Sequence, residues 1–191
     1  MLLPDQFLAY QQNERMASGY TIRNYKHAIE AFAKYFGEAY QKEVDWAAVA
    51  ITQARDYVIE LQRGLERKTV HNRIAALRSF YRWGMRQGFF KSNPFKSISL
   101  PRLKKSLPVF LTEAQVERLL AAPLKRQEAG SSPAQCARDS LMLELLYGAG
   151  LRISELCSLT WEKVDWERGL LKIFGKGRKE RLCPVGAVAM D

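Results

Sequence analysis

Cysteine is scarce in this 191-residue chain, and the three present (Cys136, Cys157 and Cys183) match neither a disulfide framework nor a paired zinc motif. They read as small residues of a reducing compartment, which points to the cytoplasm. No apolar run approaches the roughly 20 residues that span a bilayer, so a membrane span is excluded and no membrane partner is expected. Residues 1–10 lack the apolar length of a signal peptide and carry Asp5. Histidine is rarer still: His27 and His71 both fall in the first half. Repeats and low-complexity tracts are absent. Acidic residues are nearly missing from one stretch. Between Arg63 and Lys105 there are twelve basic residues and a single acid, Glu66. That local excess of +11 surpasses the +10 of the whole chain. A polyanion is the natural partner of such a stretch, because each neutralised phosphate releases condensed counterions. A merely solvated basic face carries the same composition.

What is present is globular: 47% hydrophobic and 11% aromatic residues, enough for a core. The first hundred residues carry helical periodicity and no convincing strand. Helices are expected over Pro4–Met16, from Thr21 as N-cap to a stop at Gly37, from Thr52 to Gly64, and from Thr69 to Gln87 with Gly88 beyond the end. Prolines 94, 101 and 108 interrupt the pattern. This sets domain expectations of 1–97 for a helical unit, 98–110 for a basic linker and 111–191 for a second unit. In that second unit Thr112 and Gln115 form a capping box. A polar loop is expected over Arg126–Ser132, and Pro133 opens an apolar helix that ends at Gly148. After a short helix the period changes to two. Leu171 and Ile173 alternate with Lys172 and Phe174, a Gly-Lys-Gly turn follows, and 180–185 returns as a second strand. The fold class is therefore mainly α with a small β part: an all-α unit, then an α+β unit.

Two stretches carry candidate chemistry. In the first, Gly148 and Gly150 break a helix just before Arg152, which sits near the start of the next helix with Glu155 three residues on. A guanidinium there suits a phosphate. An ordinary Arg–Glu helix pair has the same spacing. The second is Gly175 to Arg181, where glycines flank Lys176 and Arg178, Lys179 and Arg181 add charge. The spacing of a P-loop is absent. A solubilising hairpin tip fits as well.

Together GLRISEL (150–156), Leu159, Asp165, GKGRKER (175–181) and Pro184 resemble the first half of the catalytic domain of the tyrosine recombinases. Within that family YGAGLRISEL is most similar to the XerC-type members, and phage and integron integrases share the pattern. TIRNYKHAIEAF (21–32) and ERKTVHNRIAALRSFYRWG (66–84) resemble the family's helical, SAM-like core-binding domain. The resemblance implies a clamp on double-stranded DNA and strand exchange through a 3′-phosphotyrosyl link, with no metal and no other cofactor. It makes Arg152 the phosphate-stabilising arginine, Lys176 the general acid and Glu155 a supporting acid. DNA contacts are expected from Arg23, Asn24, Lys68, Thr69, Asn72 and Arg73, with Ala76 on the same face, and from Lys104, Lys105, Arg178, Lys179 and Arg181. Arg82 and Arg86 are expected to serve the helix dipole.

The family site also needs a His-x-x-Arg pair, a further His or Trp and a nucleophilic Tyr downstream of the lysine. None of these residue types follows Lys176 except arginine. The expectation is a chain that ends midway through a catalytic domain, binds DNA without cleaving it and is monomeric. A full-length relative would add a partner XerD-like recombinase, a tetramer and an FtsK-type translocase. The alternatives are a non-catalytic DNA-binding module, a phage or integron integrase fragment, or an RNA- or membrane-surface protein with coincidental motifs.

Overall fold

The computed structural model describes residues 2–103, 107–175, 180–186 and 189. The chain divides into two compact units, 1–106 and 107–191.

Unit one is four helices: α1 (Leu3–Asn13), α2 (Gly19–Tyr40), α3 (Ile51–Gly64) and α4 (Arg67–Arg86). Helix α4 packs against each of the other three. Its Val70, Ile74, Leu77, Phe80 and Tyr81 meet Phe7, Phe32 and Tyr57 in one apolar cluster. Aromatic rings dominate the cluster. Phe32 stands edge-on to Tyr57 at 5.0 Å and to Phe95 at 5.4 Å, and Phe80 is edge-on to Trp46 at 5.0 Å.

Helix starts differ from the sequence reading. Ser18, not Thr21, caps α2, its hydroxyl accepting the Thr21 N–H at 3.3 Å. Gly37 does not stop that helix, which continues to Tyr40 because Phe36 remains in the core; Gln41 then turns it off in the left-handed region at φ 52°. Helix α3 starts at Ile51, where Gln53 Oε1 accepts the Ala50 N–H at 2.9 Å.

The proposed linker start at residue 98 is corrected as well. Phe95 and Ile98 are buried, and Leu100 packs on the same cluster. Arg78 holds this return segment, donating from Nε to the Phe95 carbonyl at 2.9 Å and from Nη2 to the Ile98 carbonyl at 2.6 Å. Pro101 O lies 2.7 Å from His71 Nε2. Residues 98–101 thus belong to the helical unit, since apolar side chains between the prolines still find a core.

Unit two consists of α5 (Glu113–Glu128), α6 (Pro133–Tyr147), α7 (Ile153–Cys157), a single 3-10 turn at Trp161–Lys163, and strands β1 (Val164–Asp165), β2 (Leu170–Phe174) and β3 (Glu180–Pro184). The sheet is antiparallel in the order β1-β2-β3. Helix α5 runs through Pro123 to Glu128, so the polar loop expected from Arg126 begins only at Ala129. Thr112 and Gln115 meet as the sequence suggests, the Thr112 N–H donating to Gln115 Oε1 at 2.8 Å. Leu171 and Ile173 point into the core with Leu145, Leu151 and Cys183, while Lys172 and Phe174 face outward. The register sets Leu171 opposite Cys183 and Ile173 opposite Arg181. Strand β1 was not anticipated. Two residues are too few to show an alternating pattern.

Candidate phosphate site and nucleic-acid interface

Gly150 lies at φ +61°, a conformation costly for residues with a Cβ, and lets the chain turn sharply out of α6. Leu151 then drops into the core, its N–H reaching the Leu145 carbonyl at 3.2 Å. Burying Leu151 fixes the backbone of Arg152, the residue immediately before α7. Glu155, one turn on, folds back. Its Oε2 accepts the Arg152 backbone N–H at 2.8 Å, and its Oε1 accepts Arg152 Nη1 at 2.8 Å. Arg181 adds a third donor, Nη2 to Oε2 at 2.7 Å. Glu155 is 6% exposed, and the Arg152 side chain is 67% exposed. The hydrogen bond from the Arg152 N–H, with those from its side chain and the Arg181 charge, holds the Glu155 carboxyl below the usual glutamate range despite its burial. The result is a guanidinium fixed on one edge and open to solvent over the rest, which suits an anion that must be held without reorganisation.

Arg181 was counted among the residues of the hairpin tip. The structure places it within β3, against Glu155. The sequence signal was the alternation that sets position 181 opposite Ile173. The pairing with Glu155, however, depends on how the sheet meets α7. Lys176, Arg178 and Lys179 lie outside the described residues, as do Lys104 and Lys105.

In unit one, Asn24 from α2 and Thr69, Asn72 and Arg73 from α4 line a single cleft, together with Tyr20 and His27. Arg23 is exposed beside it, with its guanidinium 5.4 Å from the Tyr20 ring centre, and Lys68 is exposed at the start of α4. Tyr20 and His27 were not singled out from the sequence, although positions 20, 24 and 27 share one helical face.

Ala76 is corrected. It is only 3% exposed, because α1, α2 and α3 together bury more of the α4 circumference than one stripe. Arg73 is half-buried and also lines the neighbouring cleft with Tyr35, Tyr57 and Glu60. Burial pushes the Tyr57 hydroxyl up, and the Arg73 charge opposes that shift.

Several of the basic residues have internal partners. Arg78 serves the return segment, and Arg63 meets Glu60 at 3.2 Å. Arg86, expected to serve the helix dipole, reaches the Tyr10 hydroxyl at 3.5 Å and lies over that ring, tying α4 to α1.

The chain is thus a helical unit with a polar cleft between two helices, followed by an α+β unit that presents a carboxylate-held arginine. Two family models match it: "Phage integrase, N-terminal SAM-like domain" over residues 5–88 and "Phage integrase family" over 109–191. The chain belongs to the phage integrase, or tyrosine recombinase, family. Among similar curated proteins, the tyrosine recombinase XerC of Bacillus subtilis (strain 168) is 37% identical over 186 residues, covering 97% of this chain and 59% of that protein. The tyrosine recombinase XerC of Xanthomonas axonopodis pv. citri is 34% identical over 195 residues, covering 97% and 62%. The chain thus spans about three fifths of the length of the curated relatives it matches. Two solved structures share the fold. A lambda integrase dimer bound to a COC′ core site aligns with a TM-score of 0.68 at 15% identity, covering 95% of this chain and 47% of the other. A Tn1549 transposon integrase in complex with circular intermediate DNA aligns at 0.66 and 21% identity, covering 99% and 62%. Among the described residues no helix is long and apolar enough to cross a membrane.

Proposed function

We propose that this chain is the DNA-binding part and the first portion of the strand-cleaving site of a site-specific recombinase of the XerC kind, acting in the cytoplasm. The observation that carries the reading is Arg152, fixed by Glu155 yet 67% exposed. In strand cleavage, negative charge gathers on the non-bridging oxygens of the scissile phosphate. A pre-positioned guanidinium stabilises that charge without having to reorient. The departing 5′-oxygen is a poor leaving group and needs a proton, a role we assign to Lys176 on the grounds of the family motif. The nucleophile in this family is a tyrosine, which conserves the phosphodiester energy in a 3′-phosphotyrosyl link. All eight tyrosines of this chain precede Arg152, so the chain alone binds duplex DNA and forms no covalent link. In a complete protein the partners are a second, XerD-like recombinase in a tetramer and an FtsK-type translocase.

The contacts to duplex DNA are assigned to the α2–α4 cleft with Arg23 and Lys68, and to Lys104, Lys105, Arg178 and Lys179. The cleft offers amide and hydroxyl groups beside cations, the mixture that combines base-edge and phosphate contacts.

The test restores the remainder of a family catalytic domain and compares Arg152→Ala with Lys176→Ala. Both variants lose cleavage of an ordinary phosphodiester. A substrate with sulfur in the 5′-bridging position leaves as a thiolate and needs no proton, so it rescues Lys176→Ala but not Arg152→Ala. Equal rescue of both, or of neither, contradicts the assignment of the acid.

A further inference from the structure

Two guanidinium groups share one buried carboxylate. Glu155 Oε2 lies 2.7 Å from Arg181 Nη2, and Oε1 lies 2.8 Å from Arg152 Nη1. The arginines come from different elements. Arg152 stands at the turn between α6 and α7, while Arg181 stands on β3, fixed by its pairing with Ile173 on β2. Both arginine side chains remain open to solvent, at 67% and 41%, whereas Glu155 is 6% exposed.

The charge balance of this trio matters for an anionic ligand. Arg152 and Glu155 alone form a neutral pair. A phosphate on the open edge of Arg152 also feels the carboxylate behind the guanidinium, whose field offsets part of the arginine's attraction. With Arg181 on the second oxygen, the group carries a net single positive charge. The carboxylate keeps its geometric role, since it still holds the Arg152 N–H and guanidinium, while its charge is offset from the far side.

We infer that Arg181 is a positioning residue of the phosphate site: by occupying Glu155 from β3, it leaves Arg152 with the surplus charge that a phosphate group requires. This rests on the reading of Arg152 as the phosphate-holding residue.

The test uses the full 191-residue chain, labelled with nitrogen-15 and titrated with inorganic phosphate against chloride at constant ionic strength. The backbone amides of Leu151 and Ile153 report binding in every variant, and the dispersion of the same spectra reports folding. Arg181→Gln weakens phosphate binding by about three- to tenfold, the order expected for removing one nearby charge in a largely aqueous medium. Arg181→Lys retains most of the affinity. Adding Glu155→Gln to Arg181→Gln recovers part of the lost affinity, because the charge of Arg152 is no longer offset, even though its positioning contact is weakened. A merely structural role predicts the opposite order, with the double variant no better than the single one. That result, or unchanged binding in Arg181→Gln, overturns the inference. Arg152→Ala separates the two levels. If it leaves binding intact, the reading of Arg152 itself fails. If it abolishes binding while Arg181→Gln does not weaken it, only the role of Arg181 fails.

Discussion

Arg152 and Glu155 meet twice, once through the backbone N–H of the arginine and once through its guanidinium, both at 2.8 Å. The first contact ties the carboxylate to the start of α7. The second aims the side chain. A single glutamate therefore sets the position and the direction of the arginine, and both contacts depend on its being ionised.

That dependence fixes the sign of a pH effect. The hydrogen bond from the Arg152 N–H, followed by its side chain and the Arg181 charge, lowers the Glu155 pKa from its ordinary 4.5. A depressed folded-state pKa contributes stability that is fully present above the ordinary value and is lost as the pH falls through the lowered one. Glu155→Gln should therefore lower the melting temperature of the second unit at pH 7 and lower it less at a pH below the ordinary 4.5. Equal losses at both pH values would show that the charge is not what holds the contact.

In the first unit, a Cβ at Gly84 would lie 2.2 Å from Cδ2 and Cε2 of the buried Phe90 ring. Gly84→Ala forces that ring to move within a packed aromatic cluster. A loss of about 1–3 kcal/mol is expected in urea unfolding. A variant as stable as the parent would mean that Phe90 has room to give way.

The arginines of α4 should separate by task. Arg73→Ala should weaken duplex binding, since it lines the α2–α4 cleft. Arg86→Ala should weaken it less, and should instead loosen α1, because Arg86 reaches Tyr10. Arg78→Ala should destabilise the fold by about 1–3 kcal/mol by leaving the Phe95 and Ile98 carbonyls without their donor. Binding titrations and thermal unfolding of the three variants check the order. Stronger loss of binding in Arg86→Ala would move the interface to the other end of α4.

Much of this was legible in the sequence where a periodic pattern was long enough. The alternation of 171–174 identified β2, and the glycines before Arg152 identified the turn that presents it. Ala76 was misplaced because a single helical stripe cannot describe α4, which is covered from several directions. Residues 98–101 were read as linker because prolines obscured Ile98 and Leu100. Arg181 was read as a tip residue because its partner lies 26 positions earlier, a separation no local spacing rule reaches.

The central proposal, that these 191 residues by themselves bind duplex DNA through their basic faces and form no covalent link to it, is tested most directly by one assay. The chain is incubated with an end-labelled duplex nicked beside the recombination site of a XerC relative, over a salt series, and resolved with and without denaturant. The account predicts a complex whose affinity falls by roughly a thousandfold between ~50 and ~200 mM salt, as about six phosphate contacts would require. It also predicts that no labelled protein survives denaturation. A complex indifferent to salt, or a covalent adduct that persists in denaturant, would contradict it.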